Sequence, residues 1–213
     1  MGFNGRGVWW GMIVLLYAGV AAARVGPSVS IGIIVEVHNS VRIPAAVLRQ
    51  AEVEAERIFA LSGIQIRWLE CAPGLGAEDP CQRVPGVNEF VVHFVRTGQT
   101  SLDSIFGVAF VGRDGNGKYC DIFFDRIQET VQTTQTGLGQ LLATVIAHEL
   151  GHLLLGSHSH SFFGIMMPHW NLKELQRIAM GELLFSKGEA LRMRMRLQSQ
   201  ERETQDIALE ARK

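Results

Sequence analysis

Residues 148–168 read His-Glu-Leu-Gly-His-Leu-Leu-Leu-Gly-Ser-His-Ser-His-Ser-Phe-Phe-Gly-Ile-Met-Met-Pro, and this stretch decides how the rest of the chain is interpreted. His148 and His152 are four residues apart, so on a helix both imidazoles reach one ion from the same face. Glu149 projects beside that ion, where it can accept a proton from a metal-bound water. A helix that carries these residues by chance is the alternative, but unpaired ionisable groups on an otherwise apolar helix would be costly. The pattern therefore predicts a zinc (Zn2+) site with Glu149 as general base.

A catalytic zinc takes three protein ligands and leaves one position open for water. Two further histidines, His158 and His160, follow the helix closely. In an extended segment, residues two apart point to the same side, so spacing alone does not choose between them. We therefore expect one of these two histidines to be the third ligand.

The stretch resembles the signature of the metzincin clan of zinc metallopeptidases, in particular matrixin-like enzymes of the short secreted bacterial type. That signature is His-Glu-x-x-His-x-x-Gly-x-x-His, followed by a tight turn with a methionine beneath the metal. His148, Glu149, His152 and His158 match its spacing, and Met166 falls at the turn methionine, where it would pack under the site without binding the metal. The resemblance implies a zinc-dependent endopeptidase that hydrolyses peptide bonds in a peptide or protein substrate by means of a metal-bound water.

The chain departs from this signature at the glycine, because Leu155 occupies that position and Gly156 comes next. A helix that runs one residue further and turns at Gly156 moves the ligand downstream, to His160. A resemblance to short bacterial proteins with Leu-Leu-Leu-Gly before His-Ser also favours His160, and both histidines stay open. Gluzincins, another class of zinc hydrolase, take their third ligand from a later helix, where Glu174 stands. That class requires neither the segment that carries His158 and His160 nor the methionine turn.

The periodicity of the chain predicts a strand, a helix, four more strands, the metal-binding helix, a loop and C-terminal helices. The predicted strands cover 29–37, 64–69, 89–95, 105–111 and 119–124, and the predicted helices cover 44–62, 138–155, 171–180 and 186–197. No helix or strand is predicted over the polar stretch 128–135. Trp170 is expected to anchor the final helix by packing.

This order of elements defines an α+β chain. It agrees with the metzincin-like fold, which has a twisted five-stranded sheet, an early helix, an active-site helix, a Met-turn and a C-terminal helix. The resemblance implies that strand 105–111 is the edge strand above the cleft, where its backbone pairs with extended substrate.

Residues 1–23 have the composition of a secretory signal peptide. Arg6 is the one charge before an apolar run over 8–20, and three alanines end at Ala23. The run is shorter than the roughly 20 residues that span a bilayer as a helix, although an uncleaved N-terminal anchor is the alternative. We expect a metallopeptidase domain over 24–198 that is secreted or periplasmic, followed by a charged tail over 199–213 that is solvated or frayed.

An oxidising compartment gives the three cysteines different expected roles. Cys71 and Cys81 bracket a loop rich in proline and glycine, and we expect them to form a disulfide. Cys120 falls in an apolar strand pattern and is expected to be a buried thiol. A Cys71–Cys120 disulfide is the competing pairing.

The charge of the chain restricts its partners. The formal net charge is −1 and the isoelectric point is about 6.7, so no basic excess indicates a nucleic-acid partner. Membrane contact is expected only through the N-terminal segment, if that segment is uncleaved, and we expect a monomer. Two other functions stay open: a secreted zinc-binding interaction domain with the same fold but no turnover, and an amidase acting on a non-protein amide.

Overall fold

A mixed five-stranded sheet forms the centre of the fold in the computed structural model of the chain, which describes residues 1–2, 31–71, 80–97, 105–157 and 159–211. Its strands are β1 (Ile31–Asn39), β2 (Ile64–Cys71), β3 (Glu89–Val95), β4 (Gly107–Phe110) and β5 (Tyr119–Phe123). They lie in the order β2-β1-β3-β5-β4. All neighbouring strands pair in parallel except β4, which runs antiparallel to β5 at the edge. The predicted α+β class and its five-stranded sheet are therefore confirmed.

The core lies between the sheet and the first and third helices of the fold, which cover one face of the sheet. The α-helices of the described residues are α1 (Ala45–Leu61), α2 (Phe124–Thr133), α3 (Leu138–Leu155), α4 (Leu172–Ala179) and α5 (Lys187–Glu210). Side chains alternate along a strand, so Ile33, Val35 and Val37 of β1 all point to the same face and are buried. They share one apolar cluster with Phe59 of α1 and with the leucines of α3.

The helix α3 runs through this core and has the bounds that the sequence predicts. Among the described residues, it alone is long and apolar enough to cross a membrane by length and composition. However, 72% of the helix is buried inside the protein. Leu141, Leu142, Leu150 and Leu153 are at most 1% exposed. The helix is thus a core element, and its polar residues stand in apolar surroundings.

The helix α2 occupies most of the stretch 128–135, for which the sequence predicts no element. Its apolar residues Phe124, Ile127 and Val131 recur at helical spacing and pack against the core. The predicted fifth strand took in Phe124, which left too few apolar residues for a helical pattern. Asp125 in the first turn also favours the helix, because its charge complements the partial positive charge at a helix N-terminus.

The helix α5 continues to Glu210, beyond the predicted 186–197, so the charged tail over 199–210 is helical and not frayed. Glutamate, arginine, glutamine and alanine are strong helix formers, and no glycine or proline follows Gly188 to end the helix. The buried side chains of α5 end at Leu197. Beyond it the helix is exposed or half-buried, as a solvated segment should be.

The disulfide joins Cys71 at the end of β2 to Cys81, as predicted, with their Cα atoms 5.9 Å apart. Cys120 is a free, fully buried thiol. Burial raises the pKa of that thiol, so it stays protonated and unreactive. The bracketed loop 72–79 and the predicted signal segment, apart from its first two residues, lie outside the described residues.

Candidate metal centre and active-site cleft

The two histidines of α3 face each other across one helical turn. The Nε2 atoms of His148 and His152 are 3.0 Å apart, and their rings meet edge to face with centroids 4.6 Å apart. The helix places them on the side that faces the cleft beside β4. The spacing of four residues therefore produces the paired imidazoles that the sequence predicts.

The end of α3 brings a third histidine to this pair. The helix runs through Leu155 and stops at Gly156, whose φ of 84° lies in the left-handed region that favours glycine. The chain then turns back, so the ring of His160 lies 5.6 Å from that of His148 and 4.6 Å from that of His152. One ligand nitrogen from each of the three lies within 4.8 Å of the other two.

His160 is thus the third histidine that the structure brings to the helix pair. His158, the other candidate, lies outside the described residues. Glu174, the gluzincin-type candidate, belongs instead to a capping box at the start of α4, where its Oε2 accepts a hydrogen bond from the Asn171 amide at 3.3 Å. It is not a member of the three-histidine cluster.

The second nitrogen of each helix histidine is held by a hydrogen bond. The Nδ1–H of His148 donates to the Ile165 carbonyl oxygen at 2.8 Å, which leaves a lone pair on its Nε2. The Nδ1 of His152 lies 2.7 Å from the hydroxyl of the buried Ser159. Burial lowers the pKa of His148 to about 4 and that of His152 to about 3. Both rings are therefore neutral at neutral pH, which is the form that binds metals.

We expect Ser159→Ala to weaken zinc binding about tenfold. Partners that fix the ring orientation of metal-binding histidines typically contribute 10–100-fold to metal affinity, and the Ser159 hydroxyl is the group that fixes His152. The measurement is the zinc Kd by competition with a chromogenic chelator. Ser199→Ala is the control, because that exposed hydroxyl bonds only within α5. An unchanged Kd for Ser159→Ala would show that the hydroxyl does not orient the ring.

Glu149 lies beside the histidines and is only 4% exposed. Its side chain lines the same cleft as the histidine rings. Burial raises the pKa of its carboxyl to about 8, with no cation or hydrogen-bond donor among the described residues to offset the loss of water. A buried carboxyl without a partner is costly, so this group is placed for a ligand rather than for the stability of the fold.

Met166, the predicted turn methionine, packs against α3 at Gly151, which lies between His148 and His152. It is fully buried, and its Sδ packs so closely on α3 that a Cβ on Gly151 would lie 2.5 Å away. The turn is closed by a hydrogen bond from the Ser161 amide to the Met166 carbonyl at 2.8 Å, and Gly164 adopts a φ of 81° within it. The methionine supports the site by packing.

A cleft of about 550 Å³ opens over these residues. One wall is β4 with the preceding Phe106, and the other is the segment 167–170. The ring of Trp170 stacks on Phe106 with centroids 6.0 Å apart and meets the His148 ring at 5.5 Å. Its Nε1–H donates to the Ile165 carbonyl at 3.3 Å, the same oxygen that holds His148. The sequence assigned Trp170 to packing on the final helix and missed its place in the cleft.

Comparisons with known proteins support the fold. No family model matches the sequence, and no curated protein matches it. Among solved structures, an archaemetzincin from Methanopyrus kandleri is 13% identical with a TM-score of 0.48, over 82% of this chain and 99% of that one. A zinc-dependent peptidase from Methanocorpusculum labreanum is 16% identical with a TM-score of 0.52, over 76% of this chain and all of that one. At 16% identity, the similarity to the Methanocorpusculum labreanum structure shows that the two chains share a fold.

Proposed function

We propose that this protein is a zinc-dependent endopeptidase that hydrolyses peptide bonds with Glu149 as general base. The observation that carries the proposal is the convergence of three histidine rings and one buried carboxyl on the same cleft. The fold is one that a zinc-dependent peptidase also has, which agrees with the proposal, but the site supports it independently.

The residues present fit a zinc ion. His148, His152 and His160 would hold it, because neutral imidazole is a preferred zinc ligand and three protein ligands leave one position open. The hydrogen bonds from Nδ1 to Ile165 and Ser159 are the outer contacts that metal-binding histidines require. When bound, the ion supplies Lewis acidity, which polarises a carbonyl and lowers the pKa of water.

Glu149 would carry the proton during hydrolysis. Without a metal, burial raises the pKa of this carboxyl to about 8. A cation held by the three histidines would lower that pKa, so that the carboxylate can take a proton from the attacking water and pass it to the leaving amine. Glu149 is only 4% exposed, and this low contact with bulk water strengthens charge interactions at its carboxyl.

The edge strand β4 favours a peptide over a compact amide as substrate. One side of β4 pairs with β5, and its residues 107–109 line the cleft. An extended peptide can therefore add to β4 through backbone hydrogen bonds, which hold the chain without regard to its side chains. A small non-protein amide would leave most of this edge unused.

We also infer that the enzyme acts outside the cytosol, in the manner of secreted matrixin-like enzymes. The signal-like composition of residues 1–23 supports this location. The Cys71–Cys81 disulfide supports it as well, because such bonds persist in oxidising compartments.

The test is incubation of the purified protein with a diverse peptide library, read out by mass spectrometry with and without a zinc chelator. We expect cleavage within peptides that stops with the chelator and returns when zinc is added. Metal analysis of the same sample verifies that zinc is bound. A zinc-loaded protein that cleaves nothing would be a binding domain, and one that cleaves only small amides would be an amidase.

A further inference from the structure

The first residue of β4, Gly107, lies against the side chain of Glu149. A Cβ placed on Gly107 would be 2.8 Å from Glu149 Oε1 and 2.9 Å from Glu149 Cγ. The same Cβ would be 2.9 Å from the backbone carbonyl oxygen of Asp121. Side chains do not tolerate contacts this short, so only glycine fits here without a displacement.

The reason for glycine at this position is space and not backbone conformation. Gly107 is not among the glycines of the structure with positive φ, so alanine can adopt its backbone angles. The Asp121 oxygen cannot move away, because β5 is fixed between β3 and β4. An added methyl group must therefore push either the Glu149 carboxyl or β4 itself.

We propose that Gly107 is a positioning residue for Glu149. Its missing side chain lets the carboxyl lie in contact with the strand that would bind substrate, which fixes the distance between the base and the scissile bond. The catalytic consequence rests on the proposed function, whereas the contact itself does not. Both possible displacements in a substituted protein misplace the base relative to the substrate.

Gly107→Ala tests the proposal by separating turnover from metal binding. We expect kcat to fall about 10²-fold, which is the typical result of a displacement of about 1 Å in an active site. The zinc Kd should not change, because the three atoms nearest to the added methyl group belong to Glu149 and Asp121 and not to a histidine. Gly32→Ala is the matched control within the sheet, since a Cβ there meets only the Gln65 carbonyl oxygen at 3.8 Å. It should keep the wild-type kcat.

A double-mutant cycle shows whether the loss acts through Glu149. Glu149→Asp shortens the side chain by one methylene and withdraws it from Gly107. We expect Gly107→Ala to reduce kcat less in the Glu149→Asp background than in the wild type, because the contact is already relieved. Equal reductions in both backgrounds, or a wild-type kcat for Gly107→Ala alone, would overturn the proposal.

Thermal unfolding keeps the test independent of peptidase activity. Gly107→Ala should lower Tm in the wild type and lower it less in Glu149→Ala, where the carboxyl and Cγ are gone. If the wild-type protein hydrolyses no peptide, the proposed function fails. This second double-mutant cycle, which is read out by Tm, still measures the contact between Gly107 and Glu149. An equal loss of Tm in both backgrounds refutes the positioning role whatever the activity is.

Discussion

Replacing Glu149 with Gln should reduce peptide hydrolysis by about 10²–10⁴-fold, the usual contribution of a general base. Glutamine has nearly the same shape and keeps the packing against Gly107. It cannot accept a proton, so the attacking water is no longer activated. Zinc should stay bound, because Glu149 is not a member of the histidine cluster. The measurements are kcat on a fluorogenic peptide chosen from the library and the zinc content of the same sample.

Glu174→Gln is the matched control for this substitution. Glutamine can replace glutamate in a capping box, so α4 should stay intact and both zinc and activity should be retained. Loss of zinc from this control would instead favour the gluzincin-type arrangement. Retained peptidase activity in Glu149→Gln would show that another group takes the proton.

The parts of the fold that the sequence predicts well are those whose local pattern and tertiary environment agree. The helix α3 and the strand β3 have the same bounds in the structure as in the prediction. The helix α3 is apolar on nearly every face and ends at a glycine. After Glu89, β3 is a run of β-branched and aromatic residues. The pair His148 and His152 follows from α3 alone, because both ligands belong to one helix.

The parts that could not be predicted depend on contacts between distant segments. The sequence separates Gly107 from Glu149 by the whole of β5 and α2, so no local pattern shows that one makes room for the other. Trp170 is a cleft residue only because its ring packs against those of Phe106 and His148, which belong to other parts of the chain. The extension of α5 beyond Leu197 involves no buried face, so hydrophobic periodicity gives no signal for it.

The third ligand illustrates the same limit within a short distance. The sequence shows that Gly156 stands one residue later than the resembled signature requires. It does not show how far the chain travels after the helix ends, because that depends on the backbone angles at the turn. In the structure, the left-handed φ of Gly156 and the contact between Ser159 and His152 place His160 at the pair.

Separate alanine substitutions of His160 and His158 should therefore have opposite outcomes. His160→Ala removes one of the three nitrogens that lie within 4.8 Å of one another, so we expect zinc affinity to fall by more than the roughly 10–100-fold that an outer partner contributes. Activity and zinc-dependent stabilisation should fall with it, since ligand binding to the folded state stabilises it. His158→Ala should keep both, because the three-histidine cluster is complete without it.

The two variants are compared by zinc Kd, by Tm with and without added zinc, and by kcat at saturating zinc. Saturating zinc matters because it separates a weakened site from a damaged one: a site that is only weakened regains turnover there. If His158→Ala loses zinc while His160→Ala keeps it, the spacing of the resembled signature is correct and His160 is only a neighbour. If both variants lose zinc, the outcome points to a site shared by the two histidines, and the zinc-dependent rise in Tm should then be smaller than wild type in each.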